Sequence, residues 1–133
     1  MATIRSELKT RAPAAEVWSA IRDIGALHTR LAPGFVTDTK LEPGARVVSF
    51  ADGRVLREPI VTLDDHARRL VWTAETERVR HYNAALQVAE IADGMTSVVW
   101  IADFLPDDIG GALAKMIEAG MAAMQRSLDR LAA

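Results

Sequence analysis

The sequence predicts an α+β fold: a curved seven-stranded antiparallel sheet around one long C-terminal helix, with two short helices after the first strand. Three observations carry this reading. Seven runs have strand-like alternation and are separated by turns rich in Gly, Pro and Asp. Helical spacing of apolar residues appears just after the first of these runs. Residues Asp107 to Leu131 then carry a continuous apolar stripe at helical spacing.

Thr3 to Lys9 alternates weakly and forms the first strand. Arg11 to Glu16 opens a helix, with Pro13 in its first turn, where a missing N–H is tolerated. Val17, Ala20, Ile21 and Ile24 recur at helical spacing and face the core. Gly25 interrupts them, and a short second helix is expected through Ala26 to Leu31 until Pro33-Gly34 stops it. Four strands follow: Phe35 to Leu41, Arg46 to Phe50, Val55 to Leu63 and Arg69 to Ala74. Their turns are Glu42-Pro43-Gly44, Asp52-Gly53 and Asp64-Asp65. Asp52-Gly53 is expected to form a type I′ turn, because Gly supplies positive φ cheaply.

Tyr82 to Ile91 and Thr96 to Leu105 are the last two strands, turned at Ala92-Asp93-Gly94. Asp107 or Asp108 is expected to cap the final helix and complement its dipole. That helix must bury Leu113, Met116, Ile117, Gly120, Met121, Met124, Leu128 and Leu131, and the concave face of the sheet is the surface available. Glycine and methionine stand where a tight core would carry Leu and Ile. The helix is therefore expected to form one wall of an apolar pocket.

Period-two alternation assigns the inward faces. Tyr82, Ala84, Leu86 and Val88 point in, as do Val98, Trp100, Ala102 and Phe104, and Leu70, Trp72 and Ala74. Large Trp beside small Ala gives a scalloped wall. Glu58 shares a face with Leu56 and Ile60. It is either a carboxylate in an apolar interior, needing a partner such as Arg78, Tyr82 or Arg46, or a solvated residue at a twisted edge beside Pro59. Met116, Met121 and Met124 are either adaptable core filler or pocket lining.

The totals bound the function. The 133 residues form one domain, half hydrophobic, with 16 basic and 18 acidic residues. That balance gives no electrostatic footprint for nucleic acid and no polybasic patch for a membrane. No run approaches a bilayer-spanning length. There is no cysteine, which excludes disulfides, thiolate catalysis and cysteine metal sites. The start of the chain lacks an apolar signal region, so a cytoplasmic protein is expected. The histidines His28, His66 and His81 are scattered, so no metal is expected. His28 is either a base at the pocket mouth or a surface histidine. No Gly-x-Ser-x-Gly elbow and no phosphate-binding loop occur.

Several short motifs occur in a telling order. They are Ala14-Ala-Glu-Val-Trp-Ser-Ala-Ile-Arg-Asp, Pro43-Gly44-Ala-Arg46, Asp52-Gly53, Arg57-Glu58, Leu63-Asp64-Asp65, Tyr82, and Val98-x-Trp100. With them the chain resembles the START/Bet v 1-like superfamily (SRPBCC, helix-grip proteins) and its small bacterial polyketide cyclase/dehydrase-like members, over nearly its whole length. The resemblance implies a single helix-grip domain over residues 1–133. Glu58, Arg78 and Tyr82 also resemble pocket positions of the plant abscisic-acid receptors. The gating Ser-Gly-Leu-Pro loop of those receptors is replaced here by Ala51-Asp52-Gly53-Arg54, and their pocket lysine has no clear counterpart, so only pocket geometry carries over.

Three functions are weighed. The first is non-catalytic binding of a hydrophobic small molecule between sheet and helix. Glu58, Trp72, Arg78, Tyr82, Trp100, Met116, Gly120 and Met124 would form the site, without cofactor, in a monomer or homodimer. The second is a cyclase or dehydratase with Glu58 as general acid or base, and Arg78 and Tyr82 stabilising an oxyanion. A domain that mainly makes protein contacts, with a filled core, is a third.

Overall fold

A computed structural model describes residues 1–132. The strands are β1 (Ala2–Thr10), β2 (Val36–Glu42), β3 (Ala45–Phe50), β4 (Val55–Asp64), β5 (Arg69–Thr73), β6 (His81–Glu90) and β7 (Thr96–Leu105). Helix α1 spans Ala14–Arg22 and helix α2 spans Gly110–Asp129. The sheet runs β1-β7-β6-β5-β4-β3-β2, antiparallel throughout, so β2 to β7 form a meander and β1 returns to pair with β7. This is the helix-grip fold that the motif order implies.

The inward faces follow the alternation. Tyr82, Ala84, Leu86 and Val88 are buried, as are Val98, Trp100, Ala102 and Phe104, while Gln87 between them is exposed. Ile117, Gly120, Met121, Met124 and Leu128 of α2 are buried against the sheet. Leu113 and Met116 are only half-buried, and Leu131 lies beyond the helix and is exposed. Register shifts between Val36 and Asp38 and between Ile60 and Thr62 interrupt the ladders of β2 and β4. Such shifts bend a strand and raise its twist, which suits a sheet that wraps a helix.

Four local details differ from the sequence reading. Pro13 precedes α1 rather than sitting in its first turn; its carbonyl accepts from the N–H groups of Glu16 and Val17, both at 3.0 Å. The second short helix is a single π-helical turn, Leu27–Leu31, closed by the Ala32 N–H donating to the Leu27 carbonyl at 2.8 Å. Asp52-Gly53 does not form a type I′ turn, which needs positive φ at both central residues: Gly53 has φ 93° but Asp52 does not. The Gly53 N–H reaches the Phe50 carbonyl instead, giving a three-residue loop closed by a left-handed glycine. The two consecutive positive φ values occur at Asp93 and Gly94, in the β6–β7 turn.

The fourth correction concerns the start of α2. Asp107–Ile109 form a separate 3-10 turn, and no side chain caps α2. Asp107 pairs with the N-terminal amine at 3.3 Å instead, which the antiparallel β1–β7 register brings alongside.

The meander puts the two ends of the sheet to different uses. The β4–β5 and β6–β7 turns lie at one end, where β1 hands the chain to α1. There Asp65 accepts from Trp18 Nε1 of α1 at 2.8 Å and from Arg22 at 2.6 Å, so α1 is tied across that end. The β3–β4, β5–β6 and β7–α2 connections lie at the other.

Candidate functional site

At that second end a cavity of about 440 Å³ opens between the sheet and α2. This lies within the range of small-molecule sites, roughly 300–1,000 Å³. Trp72 of β5 and Trp100 of β7 line it from the sheet, while Ala84 and Ala102, in register beside Trp72, are fully buried and do not border it. Trp100 comes from the neighbouring row, and its ring meets that of Trp72 with centroids 5.8 Å apart. Phe35 and Phe50 pack edge to face at 5.4 Å, and Leu113 and Met116 of α2 complete the apolar wall.

Glu58 faces inward and is buried, and of the three partners considered it has Arg46. Arg46 Nε donates to Glu58 Oε1 at 2.9 Å, and both side chains are almost fully enclosed. The reason is register: Arg46 on β3 is directly opposite Glu58 on β4. The Arg46 guanidinium also lies 5.4 Å from the centroid of the Trp72 ring. Pro59 marks no solvated edge. It pairs with Ala45 and stands beside the register shift in β4, where the ladder is already interrupted. Arg78 is exposed in the β5–β6 connection and makes no ion pair among the described residues.

Of the residues singled out from the sequence, Glu58, Trp72, Arg78, Tyr82, Trp100 and Met116 line this cavity. Gly120 and Met124 do not. Gly120 lies under the Trp100 ring, where a Cβ would stand 2.9 Å from Cζ3, and Met124 is buried one turn further along α2. Reading the helix stripe as one wall misses that its lower half is core and only its first turns border open space. Phe50 and Leu56 also line the cavity and were legible from strand parity. Arg54 lines it from a loop, where no periodicity marks it, and Phe35, expected to begin a strand, lies in the turn just before β2. His28 is outside the lining; its Nδ1 is 3.2 Å from Thr39 Oγ1.

Burial pushes the Glu58 carboxyl above its ordinary value near 4.5, and Arg46 offsets this only in part. Burial, and then the Glu58 charge, raises the Tyr82 phenol. At neutral pH Tyr82 is therefore a neutral donor. Trp100 Nε1 is buried without a hydrogen-bond partner among the described residues. No group of three or more His, Asp or Glu among the described residues is placed to hold a metal ion. No helix among them is long and apolar enough to cross a membrane.

The Glu58 shift has a measurable consequence. A carboxyl raised in the folded state binds its proton more readily there than in the unfolded chain. Its contribution to stability is full below about 4.5 and is lost as pH rises through the folded value. The exposed carboxylates Asp52 and Asp65 are lowered instead, so their contribution is lost on acidification. Above about pH 4.5 the Glu58 contribution therefore runs opposite to theirs, at about 1.4 kcal/mol per pH unit at most. Urea unfolding from pH 5 upward, compared between wild type and Glu58→Gln, should show the wild type losing stability relative to the variant as pH rises. A difference between the two that does not change with pH would contradict the assignment.

A family model described as "Polyketide cyclase / dehydrase and lipid transport" matches residues 1–133. No curated protein matches the chain significantly. Solved structures do. A Thermobifida fusca protein is 30% identical with a TM-score of 0.78, over 98% of this chain and 95% of that one. The protein XoxI of Bacillus cereus is 20% identical with a TM-score of 0.85, over 96% of each chain. Norcoclaurine synthase of Thalictrum flavum, solved in complex with dopamine and hydroxybenzaldehyde, is 16% identical with a TM-score of 0.75, over 98% of this chain and 85% of that one. The last two likenesses are of fold.

Proposed function

The chain belongs to the polyketide cyclase/dehydrase and lipid transport family, and we propose that within it the protein binds a hydrophobic small molecule without transforming it. The observation that carries this is the cavity itself: walls of Trp, Phe, Leu and Met around one buried ion pair. Trp72, Trp100 and Met116 supply apolar contact. The Tyr82 hydroxyl and the Glu58 carboxyl present hydrogen-bonding capacity to one polar group of the ligand, and fixing orientation by so few groups is the common pattern of such sites. Arg46 is already committed to Glu58 and to the face of Trp72, which makes it a positioning residue.

One observation favours a second reading, a cyclase or dehydratase. A carboxyl whose burial favours its protonated form, set in an apolar cavity, is suited to general acid catalysis. Glu58 would protonate a departing hydroxyl or a carbonyl oxygen, and Tyr82 would donate to the developing oxyanion. Glu58→Gln separates the two, since Gln keeps the shape and still accepts from Arg46 Nε. Wild type and variant are incubated with a panel of hydrophobic ketones and acids. Mass spectrometry follows the small molecules and calorimetry the binding. The binding reading expects every ligand returned unchanged, with Glu58→Gln altering affinity alone. A ligand consumed by the wild type and bound but untouched by the variant would establish the enzyme.

A further inference from the structure

The charges around the cavity are unequal in number and in place. Its lining holds three arginines, Arg46, Arg54 and Arg78, against one carboxylate, Glu58. Arg46 and Glu58 satisfy each other on the inner wall. The other two cations stand at the mouth, Arg54 on the β3–β4 turn and Arg78 in the β5–β6 connection. Arg54 is held by Asp52 at 2.7 Å and lies 5.1 Å from the centroid of the Phe50 ring.

Arg78 has no carboxylate partner among the described residues, although acids surround it in sequence. Glu75 is taken by Arg57 at 2.8 Å, and Asp107 by the N-terminal amine. None of Glu75, Glu77, Asp107 and Asp108 lines the cavity. A guanidinium with five donors thus stands at the rim of an apolar well with none of its charge matched there.

We infer that the ligand of this cavity is a hydrophobic molecule ending in a carboxylate, its apolar body between the tryptophans and α2 and its anion on Arg78 at the mouth. The inference rests on the reading of the cavity as a ligand site and adds the chemical class and the orientation. The apolar end enters first. An anion directed inward would meet the Glu58 carboxyl and an arginine already engaged, whereas at the rim it meets an unmatched cation. A cationic ligand would face like charge at the mouth, and a neutral one leaves the Arg78 donors to water.

The test compares ends on one body. Decanoate, decanol and decylamine, with naphthoate and acetylnaphthalene as an aromatic pair, are titrated calorimetrically into wild type and Arg78→Gln at low salt. Intrinsic Trp fluorescence is followed in parallel. Arg78 is exposed on a connection, so the substitution leaves the fold intact, which circular dichroism checks. Decanoate is expected to bind about tenfold more tightly than decanol, with decylamine weakest. Arg78→Gln removes that advantage and leaves decanol unchanged, and added salt narrows the gap in the wild type only. Decanol binding as tightly as decanoate would overturn the anionic assignment while the cavity reading stands. An acid preference surviving in Arg78→Gln would overturn the role of Arg78. No heat and no fluorescence change with any compound would overturn the cavity reading and this inference together.

Discussion

Arg46→Met is expected to destabilise the protein by about 3–5 kcal/mol at neutral pH, the usual consequence of removing one member of a buried ion pair. Methionine fills most of the volume and keeps a contact with Trp72, so the loss is electrostatic rather than steric. Glu58 is left in an apolar interior without the one side-chain donor it has among the described residues. It can escape by taking up a proton, so the penalty should shrink as pH falls toward 5. The double variant Arg46→Met/Glu58→Leu removes both charges and should recover most of the loss, because well-packed apolar pairs often equal or exceed the ion pairs they replace. Urea unfolding of the two single variants and the double variant at two pH values closes the cycle. A single variant as stable as the wild type at pH 7 would mean that water reaches Glu58. By contrast Arg30–Asp23 and Arg54–Asp52 are exposed pairs and contribute little.

Gly120→Ala should destabilise the protein even though alanine favours a helix by up to about 1 kcal/mol over glycine. A Cβ at this position would lie 2.9 Å from Trp100 Cζ3 and 3.1 Å from Phe35 Cε2. Both are edges of rigid rings, Trp100 within the core cluster and Phe35 packed against it, so neither gives way as a flexible chain end would. Overpacking of this kind typically costs about 1–3 kcal/mol, which outweighs the propensity gain. The side chain that must yield is Trp100, a wall of the cavity, so ligand affinity should fall with stability, and further in Gly120→Leu. Gly111 is the internal control: nothing lies within 4 Å of its would-be Cβ, and Gly111→Ala should stabilise by up to about 1 kcal/mol. Thermal melts of the three variants beside the wild type check the order, and a stabilised Gly120→Ala would show that Trp100 has room to move.

Much of this architecture was legible in the sequence because β6 and most of β7 keep period two. Tyr82 to Val88 and Val98 to Phe104 marked which face is inward, and with it the Tyr82 and Trp100 wall of the cavity. Parity put Glu58 on one face with Leu56 and Ile60 but left open whether that face is inward, because Pro59 also suits an edge. Parity could not rank its partners, because Arg46, Arg78 and Tyr82 are distinguished by strand register, and register depends on turns and on the shift between Ile60 and Thr62. The fate of Asp107 was hidden for a similar reason. Its partner is the N-terminal amine, which approaches only once β1 has paired with β7. Helical periodicity likewise gave the stripe of α2 but not the point along it where core ends and cavity begins. Gly120 and Met124 lie on the core side, and Met116 on the cavity side.

The central claim is that the space between sheet and helix holds a hydrophobic molecule. Native mass spectrometry tests it most directly, on protein purified gently, before and after organic extraction, and after incubation with the ligand panel. A stoichiometric adduct that extraction removes and an acidic hydrophobic ligand restores is the expected result. The unliganded mass alone in all three samples would contradict it.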